Sequence, residues 1–87
     1  MHAVVTKVTV DERDAALDAL RERVVPRVAQ ARGFIAGYWL DMSGGRGLSI
    51  AVFESEEAAR TLAEGAVPTS DFVTLESVEV GEVVASV

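Results

Sequence analysis

Four side chains offer a surface for a small molecule: Tyr38 and Trp39, adjacent in one apolar run, and Ser49 and Phe53 in the next. Tyrosine and tryptophan each join flat apolar area to one polar tip, and a serine hydroxyl both donates and accepts hydrogen bonds. Consecutive strand residues point to opposite faces, so one of Tyr38 and Trp39 sits under the helices and the other at a dimer core or its rim, and either can line an aromatic-ligand pocket. Packing anchors are the plainer role for both. Asp41 shares the face of Trp39, and Glu54 ends the following run. A carboxylate buried there would serve as a general base with a raised pKa, while one at a wet strand end is a solvated charge. Lys7, the only lysine, falls in mid-strand, where it would bind an anion or pair with Glu76 or Glu79. His2 is of the type that titrates near neutral pH, beside the initiating methionine.

Other chemistries are excluded. The chain has no cysteine, which removes disulfides, thiolate catalysis and sulfur-ligated metals. The lone histidine and the acids lack metal-ligand spacing, so no metal is expected; no cofactor is expected either. The loop Gly44-Gly45-Arg46-Gly47 superficially suggests a phosphate cradle. Such cradles lead into a helix N-terminus, whereas this one leads into a strand and reads as a hairpin turn. A net charge of −6 with no basic stripe argues against nucleic acid. No secretory signal or spanning apolar segment is visible, so a cytoplasmic protein without membrane contact is expected.

The elements that must position these residues follow from periodicity. His2 to Val10 reads as a strand with Val4, Thr6, Val8 and Val10 on one face and Ala3, Val5, Lys7 and Thr9 on the other. Asp11 caps a helix whose apolar stripe is Ala16, Leu17, Leu20, Val24 and Val28. Pro26 predicts a kink or restart near Val25, and the helix ends around Arg32 with Gly33 as its stop. Phe34 to Met42 and Leu48 to Glu54 are the next strands. Ser55 caps a second helix with a small apolar face, Ala58, Ala59, Leu62 and Ala63. Gly65 to Asp71, marked by Pro68, is a loop. Phe72 to Val87 is a last extended segment, in which Gly81 predicts a bulge.

The order βαββαβ predicts an α+β, ferredoxin-like fold in one domain covering 1–87, both helices on one face of a four-stranded antiparallel sheet. Every strand carries apolar residues on both sides, and 49% of the chain is hydrophobic. A second copy packed on the open sheet face would bury that surplus. A homodimer pairing as a dimeric α/β barrel is therefore expected.

On Arg32-Gly33-Phe34-Ile35-Ala36-Gly37-Tyr38 and Val52-Phe53-Glu54-Ser55-Glu56-Glu57-Ala58, the chain resembles the antibiotic-biosynthesis-monooxygenase-like branch of the dimeric α+β barrel superfamily. Similar proteins carry Pro-Gly-Phe and Trp-Glu-Ser-x-x-Ala at these places. The resemblance implies cofactor-independent oxygenase or cyclase-like activity on an aromatic or polyketide-type substrate. Such enzymes look to rely on Asn, Trp and Arg, and their haem-degrading relatives on Asn, Trp and an iron-binding His. This sequence contains no asparagine, has Phe53 in place of the tryptophan, and has Ser49 where asparagine can stand. His2 stands at the chain's start, whereas the family's haem ligand lies on a helix. The expectation is a small-molecule-binding homodimer that holds an apolar or aromatic ligand between sheet and helices. Its candidate ligand-binding residues are Tyr38, Trp39, Ser49 and Phe53. The alternative is a non-enzymatic accessory or regulatory dimer without the family's catalytic residues.

Overall fold

The β-branched run at the start of the chain forms β1 (His2–Val10), and antiparallel partners flank it on both sides. The computed structural model describes residues 1–66 and 72–87, so the loop expected around Pro68 lies outside the described residues. The further elements are α1 (Arg13–Ala19), a π-helical turn (Leu20–Val24), α2 (Val25–Ala29), β2 (Phe34–Met42), β3 (Arg46–Phe53), α3 (Glu56–Glu64) and β4 (Val73–Glu82). The sheet order is β2-β3-β1-β4, the expected ferredoxin-like arrangement. Among the described residues no helix is long and apolar enough to cross a membrane.

Local chemistry explains most of the boundaries, with some corrections. Asp11 does not cap the first helix. Glu12 holds the N-cap position with no side-chain bond, and the Asp11 amide donates to the Phe72 carbonyl at 2.8 Å. Pro26 does force an irregularity, because its nitrogen cannot donate to the carbonyl four residues back. The helix widens just before it: the Val25 amide reaches five residues back to the Leu20 carbonyl, the π-helical pattern. The helix then ends at Ala29 rather than around Arg32. Gly33, at φ +82°, turns the chain into β2, and a Cβ there would lie 3.0 Å from that of Ala58. The Ser55 hydroxyl accepts from the Ala58 amide at 3.1 Å, capping α3 as expected.

Gly81 is not a bulge, since it pairs in register with Ala3. The extra residues are Glu76 in β4, between partners of Lys7 and Val8, and Ile35 in β2, between partners of Phe53 and Val52. Each inserted residue reverses the in–out alternation beyond it. This is why Leu75 and Val78, of opposite parity, both face the helices.

The core lies between helices and sheet at one end of the molecule, where Val4, Val28, Ala51, Phe53 and Ala59 are buried together. Phe53, with no exposed surface, meets Phe34 edge to face at a centroid separation of 5.9 Å. The other face of the sheet is uncovered in the single chain, leaving Tyr38 61%, Leu40 44% and Met42 42% exposed. Replacing Phe53 with Ala should cost about 3–5 kcal/mol of stability in urea unfolding, the range for emptying a buried aromatic site. A loss below about 1 kcal/mol would contradict its role as the core's central side chain.

Candidate functional site

Along the helix-facing side of β3, the bulky Phe53 is preceded by the small side chains of Ala51 and Ser49 and by Gly47. Phe53 fills the space under α2 and α3, and the small residues beyond it do not. A cavity of about 260 Å³ results, roofed by the first helix and floored by β1, β3 and the edge strands. Its walls are mainly aliphatic, with Val4, Val8, Leu17, Leu20 and Val24 prominent. The π-helical turn contributes both Leu20 and Val24, so the widening at Pro26 shapes the roof.

A polar row crosses the floor. Trp39 is the direct cross-strand partner of Ser49, and Ser49 that of Thr6. All three line the cavity. Directly opposed side chains have Cβ atoms about 4.5–5.5 Å apart, so the indole and two hydroxyls can serve one ligand. Among the described residues, none of their polar atoms makes a hydrogen bond within the protein. The Trp39 ring lies back over Gly37: a Cβ there would stand 2.9 Å from Trp39 Cη2 and 3.3 Å from Phe34 Cε1.

Charge gathers among the same lining residues. Arg13, from the start of α1, donates to Asp41 at the end of β2 (Nε to Oδ2, 2.6 Å). The hydrogen bond and charge of Asp41 raise the pKa of this exposed guanidinium above its ordinary value. Arg46 donates to the Ser43 carbonyl at 2.9 Å. Arg27 also lines the cavity, with its Nη2 beside Gly65, and no carboxylate among the described residues pairs with it.

The candidate residues are thus divided by the fold. Trp39 and Ser49 face the cavity, while Tyr38 lies on the opposite, open face of the sheet. Phe53, expected in the lining, is sealed in the core instead, because the cavity opens only where β3 carries smaller side chains. Asp41 is neither buried nor free, being held by Arg13. Lys7 pairs with neither Glu76 nor Glu79, and Glu76 accepts the Thr9 hydroxyl at 2.8 Å. Glu54 is exposed beyond the end of β3. His2 stands outside the lining, with Nε2 3.9 Å from Glu56 and Nδ1 buried without a partner. Two lining residues, Thr6 and Arg27, were not singled out from sequence. Thr6 carried a signal as the lone hydroxyl on a valine face, whereas Arg27 carried none.

Solved structures share this architecture. SnoaB, a cofactor-independent oxygenase from Streptomyces nogalater, superposes with a TM-score of 0.74 at 22% identity, over 98% of this chain and 94% of SnoaB. An MhuD variant holding two manganese protoporphyrin IX molecules per active site gives 0.72 at 22%, over 100% and 98%. The chain shares the α+β, ferredoxin-like fold of these proteins. A haem-degrading protein from Mycobacterium tuberculosis gives 0.55 at 26% identity, over 100% and 99%. No family model and no curated protein matches the sequence.

The chain's single histidine lies outside the cavity, and among the described residues no group of His, Cys, Asp or Glu is arranged to hold a metal ion. Gly37→Ala tests the seating of the indole. It should shift the near-ultraviolet circular dichroism of Trp39 and cost about 1–3 kcal/mol by overpacking. An unchanged spectrum and stability would show that the ring does not rest on Gly37.

Proposed function

We propose that this chain is the protomer of a homodimer that binds one small, mostly apolar aromatic molecule in the cavity between sheet and helices. The observation that carries this reading is the aliphatic cavity of about 260 Å³ with a polar row on its floor. Apolar walls with a few placed hydrogen-bonding groups are the usual make-up of small-molecule sites, whose volumes begin near about 300 Å³. A volume at that lower bound suits one or two fused rings better than a porphyrin. A histidine outside the lining is a second argument against haem as the ligand.

The expected dimer rests on the open sheet face. Tyr38, Leu40 and Met42 stand out from it, and Leu48, Ile50 and Val52 of β3 share that side by strand alternation. A patch of this kind on a small domain is the mark of a partner surface, and a second copy supplies the same apolar complement. Tyr38→Glu should turn a sedimenting dimer into a folded monomer. A wild-type chain that sediments as a monomer at micromolar concentration would remove the dimer from the reading.

Binding is read directly, because the only tryptophan lies in the cavity. Titration with naphthalene or 1,4-naphthoquinone should quench Trp39 emission and raise the melting temperature, by about 2.7 kcal/mol of stabilisation at a hundred times Kd. Ser49→Leu, which fills the cavity, should abolish both effects. Equal quenching in that variant would place the ligand elsewhere.

SnoaB supports cofactor-independent oxygenation of the bound aromatic as the activity. The engagement of Asp41 by Arg13 favours the second reading, a binding protein without turnover, since the rim carboxylate is already held in an ion pair. Oxygen uptake with 1,4-dihydroxynaphthalene above its spontaneous rate would decide for the oxygenase. A rate equal to the buffer control would decide for the accessory dimer.

A further inference from the structure

We propose that the cavity selects an anion: a small aromatic acid whose ring oxygen rests on the Thr6–Ser49–Trp39 row and whose acidic group meets Arg27. The inference rests on the ligand-binding reading above and adds the ligand's charge and orientation to it. Two independent observations carry it, one at the floor of the cavity and one in its charge.

At the floor, two hydroxyls and an indole N–H occupy adjacent cross-strand positions and find no partner among the described residues. The indole N–H can only donate, and a hydroxyl can donate as well as accept. The group that suits such donors is an oxygen with free lone pairs, such as a carbonyl or phenolate. Leaving them unmet beneath an apolar ring would cost the desolvation of each polar group. A plain hydrocarbon is therefore a poorer occupant than an oxygenated one.

Among the described residues, the charged side chains of the lining are three arginines, Arg13, Arg27 and Arg46, and one aspartate, Asp41. One arginine is matched by the aspartate, so these described residues carry an excess of two positive charges in a chain of net charge −6. A positive cleft in an otherwise acidic molecule focuses the field on itself and draws anions inward. Arg13 is committed to Asp41 and Arg46 to a backbone carbonyl, so Arg27 is the guanidinium left to receive a carboxylate. It can do so with two parallel N–H donors.

The test compares three probes by quenching of Trp39: naphthalene, 1-hydroxy-2-naphthoate and its methyl ester. The hydroxynaphthoate should bind at least tenfold more tightly than the ester, with the preference shrinking as salt rises. Arg27→Gln should erase that preference while leaving the ester's affinity within about twofold. Thr6→Val, nearly isosteric, and Ser49→Ala should each weaken the ester severalfold and naphthalene hardly at all, with melting curves confirming that each variant is folded. Equal affinity for acid and ester in the wild-type protein would overturn the inference and leave the cavity reading intact. A preference that survives Arg27→Gln would also overturn it. No quenching by any probe would overturn both.

Discussion

The decline of side-chain bulk along one side of β3 governs the rest of the molecule. Among the described residues Phe53 is the only fully buried large side chain, and the helices come to rest on it. Ala51 is still buried against Val28, but Ser49 and Gly47 before it cannot hold the sheet and the first helix in contact. A strand rises about 3.3 Å per residue, so the change from filled core to open space takes place within a few residues of one strand. Core and cavity are two ends of a single packed layer, and the same register that seals Phe53 delivers Ser49 to the floor.

The sequence made the order of elements readable because each boundary has a local cause. Pro26 disrupts its helix wherever the chain goes, Ser55 caps α3 through its own hydroxyl, and Gly44 and Gly45 take the positive φ angles, +79° and +73°, of the hairpin loop. What could not be read depends on partners far away in the chain. Whether Phe53 lines a cavity or plugs a core depends on α3 and Phe34 packing around it. The position of a bulge is a property of two strands: Gly81 had the right residue type, but the mismatch fell at Glu76, where β4 meets Lys7 and Val8. Arg27 follows a proline on a short helical segment, and only the fold brings it to the same lining as Thr6 and Trp39.

The polar groups of the lining are also organised by the sheet. Cross-strand pairing aligns Trp39, Ser49 and Thr6 into one row, and neither hydroxyl has a local backbone acceptor to occupy it. The charged groups come instead from element ends: Arg13 at the start of α1, Asp41 and Arg46 on either side of the hairpin. Rigid strands thus set the positions of the hydroxyls, while the arginines reach in on long side chains from the periphery. Precision at the floor and adaptability at the rim follow from that division.

The two bulges have a bearing on the company this protein keeps. Both lie in the outermost strands, Ile35 in β2 and Glu76 in β4. An outer strand offers unpaired amides and carbonyls to any extended chain that drifts alongside, which is how sheets recruit one another into fibres. An inserted residue breaks the even spacing of those groups, so an approaching straight strand falls out of step after a few residues. Ribbon-like growth is thereby discouraged at both margins of a sheet rich in valine.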